Sequence, residues 1–229
     1  MIQEQLDRLY KLKKQGRVRF VNCGLVNEDL YSNARTKVLW LLKDPNDPEP
    51  DDIKDWKPWN LPEQIRVNIK EKYWARRIMW KVVGALTYGM QQSDFPPFRT
   101  CYDSEAMNIC NGLGMIGVTN LKKSGGGGSS KNIEILTVAR EDIDLWTEEI
   151  RIMAPHIVIC GGIYGYIKKP LGLFDKLLQA GGRYAIHNFD GHQCILLDMH
   201  HPAYRVSVAL MFAFFKDCIE ELRFKGLIP

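Results

Sequence analysis

Four short apolar runs stand out from the mixed hydrophobic and polar pattern of the chain. They cover residues 37–42 (KVLWLL), 115–120 (MIGVTN), 155–161 (PHIVICG) and 194–199 (CILLDM). Each run is too short for an ordinary helix, and turn-forming or polar residues follow it, which is typical of a strand buried on both faces. The pattern therefore predicts four strands of a parallel sheet.

Segments with helical spacing of their apolar residues flank and separate these runs. The first is an N-terminal helix, and a short β-like stretch at residues 18–21 follows it. Its apolar positions are Ile2, Leu6, Leu9 and Leu12. Further helices are predicted over residues 62–90 (as one helix or two), 141–153, 164–180 and 206–224.

Strands that alternate with helices predict βα units and a mainly parallel sheet covered on both faces. We expect an α/β fold, a three-layer α/β/α sandwich with a central, mainly parallel four-stranded sheet. The 229 residues show no linker between two hydrophobic cores, so a single domain is predicted, with residues 1–36 as an N-terminal lead-in. Residues 122–131 (KKSGGGGSSK) are predicted to be a flexible loop, either solvated, in contact with a DNA backbone, or an introduced linker.

Composition adds little to this interpretation, because 45% hydrophobic and 25% charged residues are ordinary for a globular protein. No run approaches the roughly 20 apolar residues that span a bilayer, and the N-terminus does not resemble a signal peptide. A cytoplasmic protein with no membrane partner is therefore expected. Six scattered cysteines lack metal-binding spacing. The net charge of +4 suits a polyanionic partner, but it is equally common in enzymes without one.

Chemically useful residues follow each predicted strand, at the end where ligands bind in open parallel sheets. They are Asp44, Asn120, Gly161 and His201. Because the carboxyl ends of parallel strands share one edge of the sheet, we expect these residues to line one pocket.

The order of these motifs resembles the uracil-DNA glycosylase superfamily. The shared features are Asp44-Pro45 after an apolar strand, a strand ending in Asn120, the strand and Gly-Gly turn of residues 155–162, and a late His-Pro-Ala turn beginning at His201. The likeness covers roughly residues 37–224. Each motif is short, but four of them in the same order at predicted strand ends are moderately specific.

The resemblance implies a catalytic role for Asp44 and His201. Asp44 would orient the attacking water and stabilise the cation-like sugar of the transition state, whereas capping a helix or an Asp-Pro turn is the alternative. His201 would donate a hydrogen bond to the departing base, for which a neutral imidazole suffices. The alternative for His201 is a side chain that only bonds the turn before it.

The resemblance also implies a base-reading role for Asn120. Its amide can donate to a carbonyl and accept from a ring N–H of the same pyrimidine edge. The alternative is a loop-entry asparagine that bonds its own backbone.

Departures from the family pattern leave the choice of substrate open. Asn46 stands where the family has a bulky tyrosine that excludes C5-substituted bases, so the pocket is expected to admit larger pyrimidines unless Trp56 or Trp59 fills the space. Arg205, with Tyr204 beside it, replaces the leucine that the family inserts into the base stack. Single-stranded or mismatched DNA is therefore the expected partner. Phosphate contacts are predicted for Lys122, Lys123 and Arg205.

Taken together, the resemblance implies a monofunctional DNA glycosylase that releases uracil or another altered pyrimidine and leaves an abasic site. It would act as a monomer and need no cofactor. No metal is expected, since Asp198, His200 and His201 lack a further ligand at a recognised spacing. Two alternatives remain: a catalytically weak or inactive nucleic-acid-binding protein of the same fold, and an α/β protein that binds free nucleotides.

Overall fold

The computed structural model describes residues 1–15, 20–45, 60–70, 78–103, 106–124, 131–173 and 184–229, which form a mixed α/β fold. The strands are β1 (Gly24–Leu25), β2 (Val38–Leu42), β3 (Ile116–Asn120), β4 (Ile157–Gly161), β5 (Tyr184–Phe189) and β6 (His192–Met199). The helices are α1 (Ile2–Lys13), α2 (Glu28–Ser32), α3 (Leu61–Lys70), α4 (Ile78–Gln91), α5 (Phe98–Tyr102), α6 (Ala106–Gly114), α7 (Asn132–Glu141), α8 (Ile143–Met153), α9 (Tyr164–Ile167) and α10 (Val208–Phe224).

The strands form a mixed sheet with the order β1-β3-β2-β4-β6-β5. Its four inner strands are mutually parallel and correspond to the four predicted ones. The prediction of a four-stranded sheet is wrong, because β1 and β5 add an antiparallel edge on each side. β1 has only two residues and gives no pattern, and β5 joins β6 through a tight Asp190-Gly191 turn in which both residues have positive φ. Asp-Gly is a strong hairpin signal that the sequence interpretation passed over.

The predicted helices are found, and one of them is shorter than expected. Both α3 and α4 lie in the stretch of residues 62–90, for which one helix or two were predicted, and residues 71–77 between them lie outside the described part. The helix expected from residue 164 ends at Ile167, and residues 174–180 lie outside the described part. Of the β-like stretch 18–21, the described residue Phe20 forms an isolated bridge with Ser124.

Two hydrophobic cores lie on the two faces of the sheet, because successive side chains of a strand point to opposite faces. On β2, Val38, Trp40 and Leu42 pack into one core, and Leu39 and Leu41 pack into the other. Helices α3, α4, α6 and α10 cover the first face, while α1, α7, α8 and α9 cover the second. All five residues of β2 are buried, which explains its continuous apolar run.

The strand order reverses around β2, since β3 lies on one side of it and β4 on the other. In open parallel sheets, ligands bind at the carboxyl ends of the strands beside such a reversal, so this edge is where a site is sought. None of the helices in the described ranges has the length and apolar character needed to cross a bilayer.

Candidate functional site at the carboxyl edge of the sheet

The segments after β2 and β3 run side by side at the carboxyl edge. Leu42 and Asn120 are register partners, the N–H of Leu121 donates to the carbonyl of Leu42 at 2.9 Å, and the N–H of Lys122 donates to Lys43 at 3.1 Å. Parallel pairing thus continues past the strand ends. Asp44, which follows directly, is held on the same edge as Asn120.

Asn120 has an unusual environment for an amide side chain. It is 1% exposed, and neither its Oδ1 nor its Nδ2 has a hydrogen-bond partner within the described part of the chain. The alternative in which Asn120 bonds its own backbone is therefore not observed. Burying an unpaired amide costs on the order of 1–3 kcal/mol, so a buried amide without partners is a candidate ligand-binding group.

The turn after β4 approaches the late histidine turn closely. The N–H of Gly162 donates to the carbonyl of Met199 at 2.7 Å, and Gly162 has a φ of 69°. A Cβ at this position would lie 3.2 Å from the Cβ of His201. Only glycine combines this backbone conformation with so close an approach, so the Gly162 turn fixes where His201 lies.

Hydrogen bonding selects one tautomer of His201. The N–H of Ala203 donates to Nδ1 at 3.1 Å, so Nδ1 is an acceptor and the neutral ring carries its proton on Nε2. Burial lowers the pKa of His201, the charge of Asp44 opposes that shift, and Lys43 adds to it. The net direction is downward, so His201 is a neutral N–H donor near pH 7.

Asp44 lies in the same site as His201. The half-buried Asp44 is close enough for its charge to act on His201, and its neighbouring segment is bonded to the residues after Asn120. Residues more than 150 positions apart in sequence thus converge on one edge, with a carboxylate, a neutral imidazole and an amide that no described residue bonds.

Lys123 does not lie where the phosphate contact was predicted, and this prediction is corrected. It is 3% exposed, and its ammonium contacts both carboxylate oxygens of Glu149 at 2.7 Å. It also donates to Thr119 Oγ1 and, at 3.5 Å, to Cys23 Sγ. A buried, paired ammonium cannot reach a DNA backbone without breaking these bonds.

The other predicted DNA contacts differ in their placement. Lys122 is largely covered and pairs with Glu134 at 2.5 Å. Tyr204 is 62% exposed and stacks on His200 with ring centroids 5.7 Å apart and planes 9° apart. Arg205 is exposed beside it. The predicted base-pocket residues Asn46, Trp56 and Trp59 lie outside the described residues.

Several residues of the site gave no clear sequence signal. Gly162 is important because of a close approach between distant turns, and Lys43 because of its charge beside His201. Thr119 and Glu149 bond each other at 2.6 Å beneath Asn120. The glycine pair at the end of β4 marks the Gly162 turn in the sequence, but it carries no sign of the contact with His201.

Across the described residues, we find no group of three side chains arranged to hold a metal ion. No family model matches the chain, and a search of curated proteins finds no significant match.

Proposed function

We propose that the protein is a DNA glycosylase that hydrolyses the N-glycosidic bond of uracil or another altered pyrimidine in DNA. The observation that carries this proposal is the buried side-chain amide of Asn120 at the carboxyl edge of the sheet, for which the described residues offer no hydrogen-bond partner. An amide in a desolvated site can bind the complementary donor and acceptor edge of a pyrimidine. A base with a different donor and acceptor pattern would leave its own polar groups and those of the Asn120 side chain without hydrogen bonds. The cost of burying these unpaired groups would discriminate against that base.

The tautomer of His201 supports the departure of the base. As the C1′–N1 bond breaks, its electron pair moves onto the pyrimidine, and negative charge builds on the carbonyl oxygen next to N1. The Nε2–H of His201 is a neutral donor that can stabilise this charge without first giving up a proton.

The Asp44 carboxylate supports the sugar side of the reaction. As the base leaves, positive charge develops on C1′ and the ring oxygen, and a nearby carboxylate lowers its energy. The same group can orient the water whose oxygen bonds C1′ and take up its proton. The products would be the free base and an abasic sugar with a hydroxyl at C1′.

The exposed turn after His201 supports DNA as the partner. Tyr204 offers an aromatic face and Arg205 a cation, which are the groups that bind unpaired bases and phosphates. Neither is an apolar plug, so the proposed substrate is single-stranded or mismatched DNA. Asn46, Trp56 and Trp59 remain the predicted neighbours of the base in this proposal.

The deciding experiment is single-turnover base release from oligonucleotides that carry different altered pyrimidines. Asp44→Asn keeps the side-chain volume and removes the charge, so we expect release to fall about a hundredfold or more. Asp7→Asn, on the exposed surface of α1, is the matched control and should release base at the wild-type rate. Undiminished release by Asp44→Asn would contradict the role given to Asp44.

The same assay separates the alternatives. A wild-type protein that binds DNA in a salt-dependent way but releases no base is a nucleic-acid-binding protein with this fold. Binding of free nucleotides without salt-dependent DNA affinity would identify the third class of function.

A further inference from the structure

We propose that the buried Lys123–Glu149 ion pair is a positioning device that holds Asn120 at the carboxyl end of β3. The effect on base selection rests on the proposed function, whereas the effect on the position of Asn120 does not. The ion pair lies under the strand end, on the face of the sheet that α8 covers.

The side chains of Asn120 and Thr119 lie on opposite faces of β3. Val118 belongs to the core covered by α4, and Asn120, two residues on, points to the same face. Thr119 points to the opposite face, where its hydroxyl donates to Glu149 Oε2 at 2.6 Å. The hydrogen bond between Thr119 and the Glu149 carboxylate therefore holds the residue immediately before Asn120 in place.

The segment after Asn120 is tied to the same carboxylate. Lys123 reaches back so that its ammonium contacts both oxygens of Glu149 and the hydroxyl of Thr119. Residues on both sides of Asn120 are thus anchored to one side chain of α8. Tyr10 of α1 donates to the Glu149 carboxylate as well, which fixes that side chain from a third direction.

Backbone contacts complete the anchor. The carbonyl of Lys123 accepts from the N–H of Val21 at 2.6 Å, and the N–H of Leu121 donates to Leu42 at 2.9 Å. The side-chain amide of Asn120 has no hydrogen bond within the described residues. Its orientation therefore depends on how firmly the backbone of Asn120 is held. Preorganisation of a binding group by supporting contacts is what selective recognition requires.

The charges of this cluster are maintained in the fold. Burial lowers the pKa of Lys123, but the neighbouring Cys23 and Glu149 outweigh it, and the net direction is upward. Burial raises the pKa of Cys23 despite the lysine beside it. The lysine is therefore an ammonium bound to a carboxylate rather than a neutral amine, which excludes it as a nucleophile at neutral pH.

The test uses Thr119→Val, which keeps the shape of the side chain and removes its hydroxyl. The readout is the nuclear magnetic resonance signal pair of the Asn120 side-chain amide, identified by its loss in Asn120→Asp. We expect Thr119→Val to shift or broaden this pair, and Thr119→Ser, which keeps the hydroxyl, to restore it.

Thr87→Val is the matched control. Thr87 is also fully buried, and its hydroxyl accepts one hydrogen bond, from Trp40 Nε1 at 3.3 Å. Both variants should lower the melting temperature to a similar degree, but only Thr119→Val should move the Asn120 signals. In base release, Thr119→Val should lower kcat/KM about tenfold, and the selectivity for uracil over cytosine should fall with it.

Two outcomes would overturn the inference: unchanged Asn120 signals in Thr119→Val, or equal changes in the Thr87→Val control. If Thr119→Val fails to fold, Glu149→Gln provides the second variant, with the same expected shift and the same contradicting result. A wild-type protein without base release, combined with displaced Asn120 signals, would reject the proposed function and leave the positioning role standing.

Discussion

The charge state of His201 depends on three influences of different sign. Burial favours the neutral ring, the Asp44 carboxylate favours the imidazolium, and Lys43 again favours the neutral ring. Because the fold depresses the pKa, His201 favours folding fully above about pH 6.5 and loses that contribution as the pH falls through its folded pKa. A neutral His201 at physiological pH is sufficient for the hydrogen bond that the proposed departure of the base uses.

Two charge-removing substitutions should move the pKa of His201 in opposite directions. Asp44→Asn removes a nearby negative charge, so the pKa should fall further. Lys43→Met removes a positive charge, so the pKa should rise. A titration of the His201 ring signal by nuclear magnetic resonance measures both shifts. If the pKa does not respond to Asp44→Asn, the two side chains do not share a site.

Gly162 should tolerate no side chain, for two independent reasons. Its φ of 69° disfavours residues with a Cβ, and that Cβ would lie 3.2 Å from the Cβ of His201. We expect Gly162→Ala to destabilise the protein by about 1–2 kcal/mol and to slow base release by displacing His201.

Gly165→Ala supplies the control for that substitution. Gly165 lies in α9, and a Cβ there would meet nothing within 4 Å. Alanine should stabilise the helix by roughly 0.5–1 kcal/mol and leave base release unchanged. Denaturant unfolding measures both free energies, and a Gly162→Ala protein as stable and as active as the wild type would contradict the role of this turn.

At the scale of elements, the sequence predicts those strands whose own residues carry a recognisable pattern. The inner strands are continuous apolar runs because helices cover both of their faces, and this pattern is readable without knowledge of any partner. The two-residue β1 has no pattern to read, since its pairing with β3 is set by a strand about 90 residues later. The edge strand β1 therefore could not be predicted from the sequence, whereas the edge strand β5 was marked by its Asp190-Gly191 turn.

In the candidate site, too, the residues at strand ends could be predicted from the sequence, whereas contacts between distant segments could not. Asp44, Asn120 and His201 could be named because each lies at the end of an apolar run or within two residues of it. Lys123 was predicted as a phosphate contact because it flanks the Gly/Ser loop, and a lysine is almost never fully buried without a partner. Its partner Glu149 lies 26 residues away on a helix, and only the packing of α8 against the sheet brings the two together.

Replacing one partner of the Lys123–Glu149 ion pair should lower the free energy of unfolding more than replacing both partners together would suggest. Lys123→Met would leave a buried carboxylate, and Glu149→Leu would leave a buried ammonium, so each should cost about 3–5 kcal/mol. The double variant leaves no uncompensated charge and should cost clearly less than the sum. Urea unfolding of the four proteins gives the coupling free energy, and strict additivity would show that the two side chains do not interact.

At the scale of the whole molecule, the proposed function predicts a preference for unpaired DNA, because the exposed turn after His201 offers no apolar plug. Opening a base pair costs a few kcal/mol, and Arg205 is a poorer plug for the vacated stack than an apolar side chain. We expect faster release from single-stranded and mismatched oligonucleotides than from paired duplexes, with binding that weakens as salt rises.

Three substitutions locate the groups responsible for this behaviour. Arg205→Gln should weaken binding and reduce its salt dependence, and Tyr204→Ala should weaken single-strand binding about tenfold. Lys123 is buried, so its substitution should leave the salt dependence unchanged. Equal or faster release from a paired duplex would contradict the expected preference.

The contact between Tyr10 and Glu149 also bears on how α1 is buried. The two residues are 139 positions apart. Part of the surface on which α1 packs is close in sequence, in Glu28 and β1, but the rest is supplied by α8. The apolar face of α1 that carries Leu6 and Tyr10 is therefore fully covered only when α8 packs against it. Through the bond of Tyr10 to Glu149, a helix far away in sequence takes part in burying the Lys123–Glu149 ion pair.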